Sequence, residues 1–142
     1  MALEILRLGP GDDAVLAGAD VFDYPVRPDQ ARAFLADPGH EIVVARQDGR
    51  IIGMATGVVL LHPDKQPAFF INEVGVDEDQ RRSGVGRQLV EHLLEIARER
   101  GCRGIWLATE EDNVAARALY RRTMARETGG IVVYDWDDAM PG

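Results

Sequence analysis

Apolar and polar positions along the chain change period several times, and each change marks an element. Residues 4–8 alternate as a short strand, after which Gly9-Pro10-Gly11-Asp12-Asp13 interrupts the pattern and offers aspartate caps for a helix over 13–19. Pro28-Asp29 opens a second helix with Ala31, Phe34 and Leu35 on one face, and Asp37-Pro38-Gly39 ends it. Two β-branched apolar runs, Ile42 to Ala45 and Ile51 to Leu61, flank Gln47-Asp48-Gly49-Arg50, and an Asp-Gly step between such runs predicts an antiparallel hairpin. A loop over 62–67 leads into a third strand from Ala68 to Val76, in which Glu73 and Gly75 stand out. From Val85 the period becomes helical: Val85, Leu89, Leu93 and Ala97 stack on one side, Arg87, Glu91, Glu95 and Arg98 lie on the wetter side, and Gly101 stops the run. Ile105 to Ala108 reads as a short buried strand, Asn113 to Arg122 as a helix, and Ile131 to Trp136 as a last strand entered through Gly129-Gly130. The order β-α-α-β-β-β-α-β-α-β predicts a mixed α/β sheet in a single domain over residues 1–142.

Composition narrows the class. No apolar stretch reaches the length of a membrane span, and the first residues turn acidic too soon for a signal peptide, so a soluble cytoplasmic protein is expected. Acidic side chains outnumber basic ones by 24 to 16, which argues against nucleic acid and favours cationic small molecules or peptides; the same balance also serves solubility. Cys102 has no second thiol to pair with and no zinc-type spacing, and is read as a small partly buried residue. His40, His62 and His92 are scattered singly, so no metal site is expected.

Gln80-Arg81-Arg82-Ser83-Gly84-Val85-Gly86 lies between a strand and an amphipathic helix. Two glycines permit close backbone approach, and the first helical turn supplies unpaired N–H donors at the positive end of the helix dipole, an arrangement suited to phosphate. An ordinary strand-to-helix turn with Ser83 near the cap is the competing reading. Asn113 and Tyr120 are seven residues apart and project from one side of a helix. Singly they read as an N-cap and a core tyrosine; together, one helix and one strand after the glycine loop, they form a pattern.

From about Ile42 to Trp136 the sequence resembles the GNAT superfamily of N-acetyltransferases, whose acetyl-CoA signature is matched by Arg81-x-x-Gly84-x-Gly86. The resemblance implies that the amides of Arg82, Ser83, Gly84, Val85, Gly86 and Arg87 cradle a pyrophosphate and that Val74, Gly75 and Val76 present backbone groups to the pantetheine arm. It further implies that Asn113 hydrogen-bonds the same arm and that Tyr120 lies beside the thioester sulfur. A β-bulge at Gly75 would leave such backbone groups free, and one amide there would stabilise an oxyanion. The chain departs from the family after Tyr120, where Thr123-Met124-Ala125-Arg126 replaces the usual Gly-aromatic pair. Amine acetylation requires a neutral nucleophile, and Glu73, in an otherwise apolar strand where burial would raise its pKa, is the candidate base; a charge on a solvated strand face is the alternative. Tyr120 would protonate the leaving thiolate or hydrogen-bond it.

Within the superfamily the chain looks most like the short, single-domain aminoglycoside 3-N-acetyltransferases, through Arg7-Leu8-Gly9-Pro10, Glu73, Glu110 and Val133-Tyr134-Asp135-Trp136-Asp137. That resemblance implies a polycationic aminoglycoside acceptor facing Glu73, Glu110, Asp135 and Asp137. Charge points the same way, since Glu110-Glu111-Asp112 follows one predicted strand and Asp135, Asp137 and Asp138 end another. A protein N-terminus, lysine, polyamine or other small amine is the alternative acceptor, a non-catalytic acyl-CoA-binding module is the alternative class, and a homodimer is left open.

Overall fold

A computed structural model describes residues 2–140. These fall into two compact units, one ending at Ala108 and one beginning at Thr109. The first contains the strands β1 (Leu3–Arg7), β2 (His40–Gln47), β3 (Arg50–Leu60), β4 (Ala68–Val76) and β5 (Ile105–Trp106), with helices α1 (Asp13–Leu16), α2 (Pro28–Ala36) and α3 (Val85–Glu99). The strands form one sheet in the order β1-β2-β3-β4-β5, antiparallel throughout except for the parallel β4–β5 pair. The mixed, mostly antiparallel sheet flanked by helices is the architecture expected from the sequence.

The β2–β3 turn is a two-residue hairpin in which Asp48 and Gly49 have φ of 53° and 74°, the left-handed pair that a type I′ turn demands. Alternation sorts the strand residues onto two faces. On one, Ile42, Val44, Ile51 and Met54 pack with Leu16 of α1 and Ala31 and Leu35 of α2. On the other lies α3, whose Val85, Leu89, Val90, Leu93, Ile96 and Ala97 are all buried. Gly53 allows this helix to approach, because a Cβ there would sit 2.9 Å from Leu89 Cδ1 and 3.3 Å from Val85 Cγ1. Four residues on, Gly57 makes room on the same face for the Phe69 ring, with which any Cβ would collide.

Among the described residues of this unit one charged side chain is buried, and it is fully partnered. Glu41 of β2, 6% exposed, accepts from Arg7 Nε and Nη2 at 3.0 and 2.9 Å and from Arg100 Nη1 at 2.7 Å. The carboxylate thereby ties β1 and the end of α3 to β2, and loss of either guanidinium would leave a buried charge short of a partner. Among the described residues no helix is long and apolar enough to cross a membrane.

The second unit holds α4 (Val114–Arg122), whose N-cap Asn113 accepts the Ala116 amide at 3.0 Å. Beyond α4, Glu127 binds Arg117 at 3.0 and 3.1 Å and Arg121 at 3.2 and 3.3 Å, and these guanidinium groups pull its carboxyl down to about 2.

Three sequence expectations are corrected. The helix over 13–19 closes after one turn at Leu16. The strand over 105–108 stops at Trp106, which is half exposed rather than buried. The strand over 131–136 does not form: its side chains are exposed, from Val133 at 59% to Tyr134 at 80%, and no described strand pairs with it. Apolar β-branched residues favour extended backbone, but a strand also needs a neighbour to pair its N–H and C=O groups.

Where the expected glycine is missing after α4, Met124 takes the left-handed conformation at φ 67°, with its amide donating to Arg121 O and the Ala125 amide to Tyr120 O. The left-handed region costs a side-chain-bearing residue about 1–2 kcal/mol, whereas glycine loses about 0.5–1 kcal/mol more conformational entropy on folding. Met124→Gly is therefore expected to stabilise the protein by about 0.5–1 kcal/mol, read as a higher urea midpoint with unchanged slope; an equal or lower midpoint would contradict this account.

Candidate active site

The position of Glu73 depends on one extra residue. Thr56 of β3 is paired with Glu73 of β4, but the next residue, Gly57, is paired with Ile71, so Asn72 is surplus. In a regular strand Phe69, Ile71 and Glu73 would share a face, and Phe69 lies on the face covered by α3, beside Gly57. The bulge shifts the alternation by one, leaving Ile71 beneath α3 and turning Glu73 to the face of α1 and α2. The bulge expected at Gly75 is thus at Asn72, while Gly75 stays in register with Met54. Gly75 is required for another reason: a Cβ there would collide with the Val21 carbonyl oxygen, so its absence lets the α1–α2 connection dock against β4.

A cavity of about 400 Å³ opens on this face, bounded by Leu16, Phe34 and Ile42 at its base, by the loop from Phe22 to Arg27, and by Thr56 and Glu73. Glu73 is half-buried and its pKa lies above its ordinary value, chiefly because burial penalises the carboxylate and secondly because of the Asp23 charge. Thr56 is 3% exposed, and its Oγ1 has no hydrogen-bond partner among the described residues. Neither Asp23 nor Thr56 stands out in the sequence, beyond Thr56 being the only hydroxyl between Ile51 and Leu60.

Beyond Glu73, the edge of β4 turned away from β3 is open. β5 pairs with β4 only at Phe69–Ile105 and Phe70–Trp106, so no described strand pairs with that edge along Val74, Gly75 and Val76. The free backbone groups expected here therefore arise from the short pairing with β5 and require no bulge. The chain continues through a 3-10 turn, Glu78–Gln80, and the hydroxyl of Ser83, beyond the turn, donates back to Gln80 O. Arg82 and Gly84 are left-handed at φ 68° and 87°. Gly84 caps α3 with no side-chain hydrogen bond, the first intrahelical bond is Gln88 N to Gly84 O at 3.1 Å, and a Cβ on Gly84 would meet open space. The first-turn amides of Val85, Gly86 and Arg87 thus precede the intrahelical ladder, with the exposed guanidinium groups of Arg81, Arg82 and Arg87 nearby in sequence.

The remaining sequence-predicted residues belong to the second unit. Asn113 caps α4 through its carbonyl oxygen, which leaves its side-chain N–H₂ available to donate. Tyr120 is half-buried, and burial raises its phenol above the ordinary value, so it is protonated at neutral pH. Glu110, Asp135 and Asp137 are exposed, and their carboxylates form no hydrogen bond or ion pair among the described residues.

Comparison with known proteins identifies the class. Residues 14–125 match the acetyltransferase (GNAT) family, and the chain belongs to that family. It is 38% identical over 74 residues to the ribosomal protein bS18-alanine N-acetyltransferase of Escherichia coli K12, covering 52% of this chain and 47% of that protein. It is 34% identical over 109 residues to the N-alpha-acetyltransferase RimI of Mycobacterium tuberculosis, covering 77% and 66%. The chain thus spans about half the length of the first of these curated relatives. In fold it is similar to an aminoglycoside acetyltransferase from an uncultured soil metagenomic sample solved with sisomicin, with a TM-score of 0.79, 22% identity and coverage of 95% and 97%.

The raised pKa of Glu73 has a thermodynamic consequence. Between its ordinary value and its higher folded value, the folded protein binds more protons than the unfolded chain, so this group lowers stability as pH rises through that interval. Glu73→Gln is expected to be more stable than the parent at pH 7 and to lose that advantage below about pH 4, where the carboxyl is protonated in both states. Thermal midpoints measured from pH 3 to pH 8 check this; a parent–variant difference that does not change with pH would remove the case for a raised Glu73.

Proposed function

We propose that the protein is an acetyl-CoA-dependent N-acetyltransferase acting on an aminoglycoside at the 3-amino group of the deoxystreptamine ring. The observation that carries this reading is a half-buried carboxylate with a raised pKa, Glu73, facing a cavity from the strand whose next residues leave a backbone edge open. Acetyl-CoA, when bound, supplies an activated acetyl thioester. The residues present fit such a cosubstrate: Gly84 leaves space where a Cβ would project, and the first turn of α3 has no capping side chain to compete for its amides. The amides from Arg82 to Arg87 hold the pyrophosphate, with Arg81 adding charge, and the backbone of Val74, Gly75 and Val76 receives the pantetheine arm. Asn113 donates from its side-chain amide to the same arm.

On the acceptor side, the amine arrives as an ammonium and Glu73 removes its proton; a pKa nearer neutrality than that of a free carboxylate suits this work. Tyr120, protonated at neutral pH, donates toward the leaving sulfur. Glu110, Asp135 and Asp137 supply carboxylates for the remaining ammonium groups of a polycation, in keeping with a formal net charge of −8. A protein amino terminus is the second reading, supported by what the two bacterial relatives are named for.

Purified protein should release coenzyme thiol with gentamicin-like compounds, and mass spectrometry should show one added acetyl group. If only a peptide amino terminus or an unrelated amine is acetylated, the aminoglycoside assignment falls and the transferase stands; if no amine releases thiol, the chain is an acyl-CoA-binding module. Glu73→Gln should lower kcat far more than coenzyme affinity and abolish the acidic limb of the rate profile, with Tyr120→Phe costing between little and about hundredfold. Gly84→Asp should fold yet bind acetyl-CoA more weakly; calorimetry showing parental affinity would remove the glycine loop from the site.

A further inference from the structure

The α1–α2 cavity contains two carboxylates and one orphan hydroxyl. Glu73 projects from β4, and Asp23, in the α1–α2 loop, lies close enough for its charge to bear on Glu73. Thr56 is paired across the strands with Glu73 and lines the same cavity. It is almost wholly buried, with Oγ1 unpartnered among the described residues, whereas buried polar atoms are ordinarily hydrogen-bonded. The other charged group in the lining, Arg27, is turned to Asp29, with Nε 3.8 Å from Oδ1.

The half-buried Glu73 and the exposed Asp23 border the same cavity as like charges, and one ammonium group relieves only one of them. An acceptor with a second cation pairs one ammonium group with each carboxylate as it binds, and a hydroxyl beside Glu73 supplies an oxygen to an N–H of the reacting amine. We propose that Asp23 and Thr56 form, with Glu73, a two-point subsite for a diamine: the reacting amine is held at Glu73 and Thr56 Oγ1, and a second ammonium group is held at Asp23. This deepens the transferase reading and rests on it, and it predicts selection of diamines over monoamines of the same shape.

The test uses the full chain, with cis-1,3-diaminocyclohexane and cyclohexylamine as probes, followed by NMR titration at fixed ionic strength and in parallel by thiol release with acetyl-CoA. The diamine should bind at least about tenfold more tightly than the monoamine. Asp23→Asn, a change at an exposed loop position, should reduce that preference to within about twofold. Thr56→Val should weaken both amines, and Thr56→Ser should restore them. Equal binding of the two amines by the parent, a preference that survives Asp23→Asn, or parental binding by Thr56→Val would overturn the subsite. Diamine selection without thiol release would instead sink the transferase reading, so the two failures are distinguishable.

Discussion

A β-strand offers each side chain one of two faces, and in this protein the choice at Glu73 is made by the pairing of β4 with β3. Asn72 has no counterpart on β3, and that single surplus residue reverses the alternation between Ile71 and Glu73. Without it, a carboxylate would be driven beneath α3, among the buried Val85, Leu89 and Phe69, and the desolvation cost would be several kcal/mol. With it, the apolar half of β4 stays under the helix and the polar residue reaches the cavity. The fold and the chemistry of the strand are thus reconciled at one position.

The same strand is used on its other edge. β5 is short, so two pairs join it to β4 and the rest of the β4 edge is open. Open strand edges carry a risk of unwanted pairing, and here the open stretch is brief and ends at the turn leading into α3. The packing that fixes β4 is close: Gly53, Gly57 and Gly75 each remove a side chain where another group must pass, respectively Leu89, the Phe69 ring and the Val21 carbonyl. At the far end of the sheet Glu41 fastens β1, β2 and the end of α3 with two arginines.

Much of this was legible in the sequence. Long-period signals survived folding: the Asp48-Gly49 hairpin, the α3 stripe from Val85 to Ala97 and the glycine-flanked start of α3 all rest on local backbone or side-chain periodicity. What escaped depended on partners remote in sequence. The bulge at Asn72 is a relation between two strands and leaves no mark in β4 alone. The run from Ile131 to Trp136 has strand composition but no described neighbour, and composition cannot supply one. Asp23 and Thr56 are individually ordinary, and their relevance comes from the cavity that both of them line.

The contact between Phe70 and Trp106, with ring centroids 4.5 Å apart and planes inclined by 46°, lies where β4 and β5 are last joined. The chain has only one other tryptophan, Trp136. Indole emission depends on the polarity and proximity of neighbouring groups, so Trp106 is an intrinsic optical probe of the spacing between these two strands. A Trp136→Phe protein would isolate that signal, making the splay of the sheet observable by fluorescence without any attached dye.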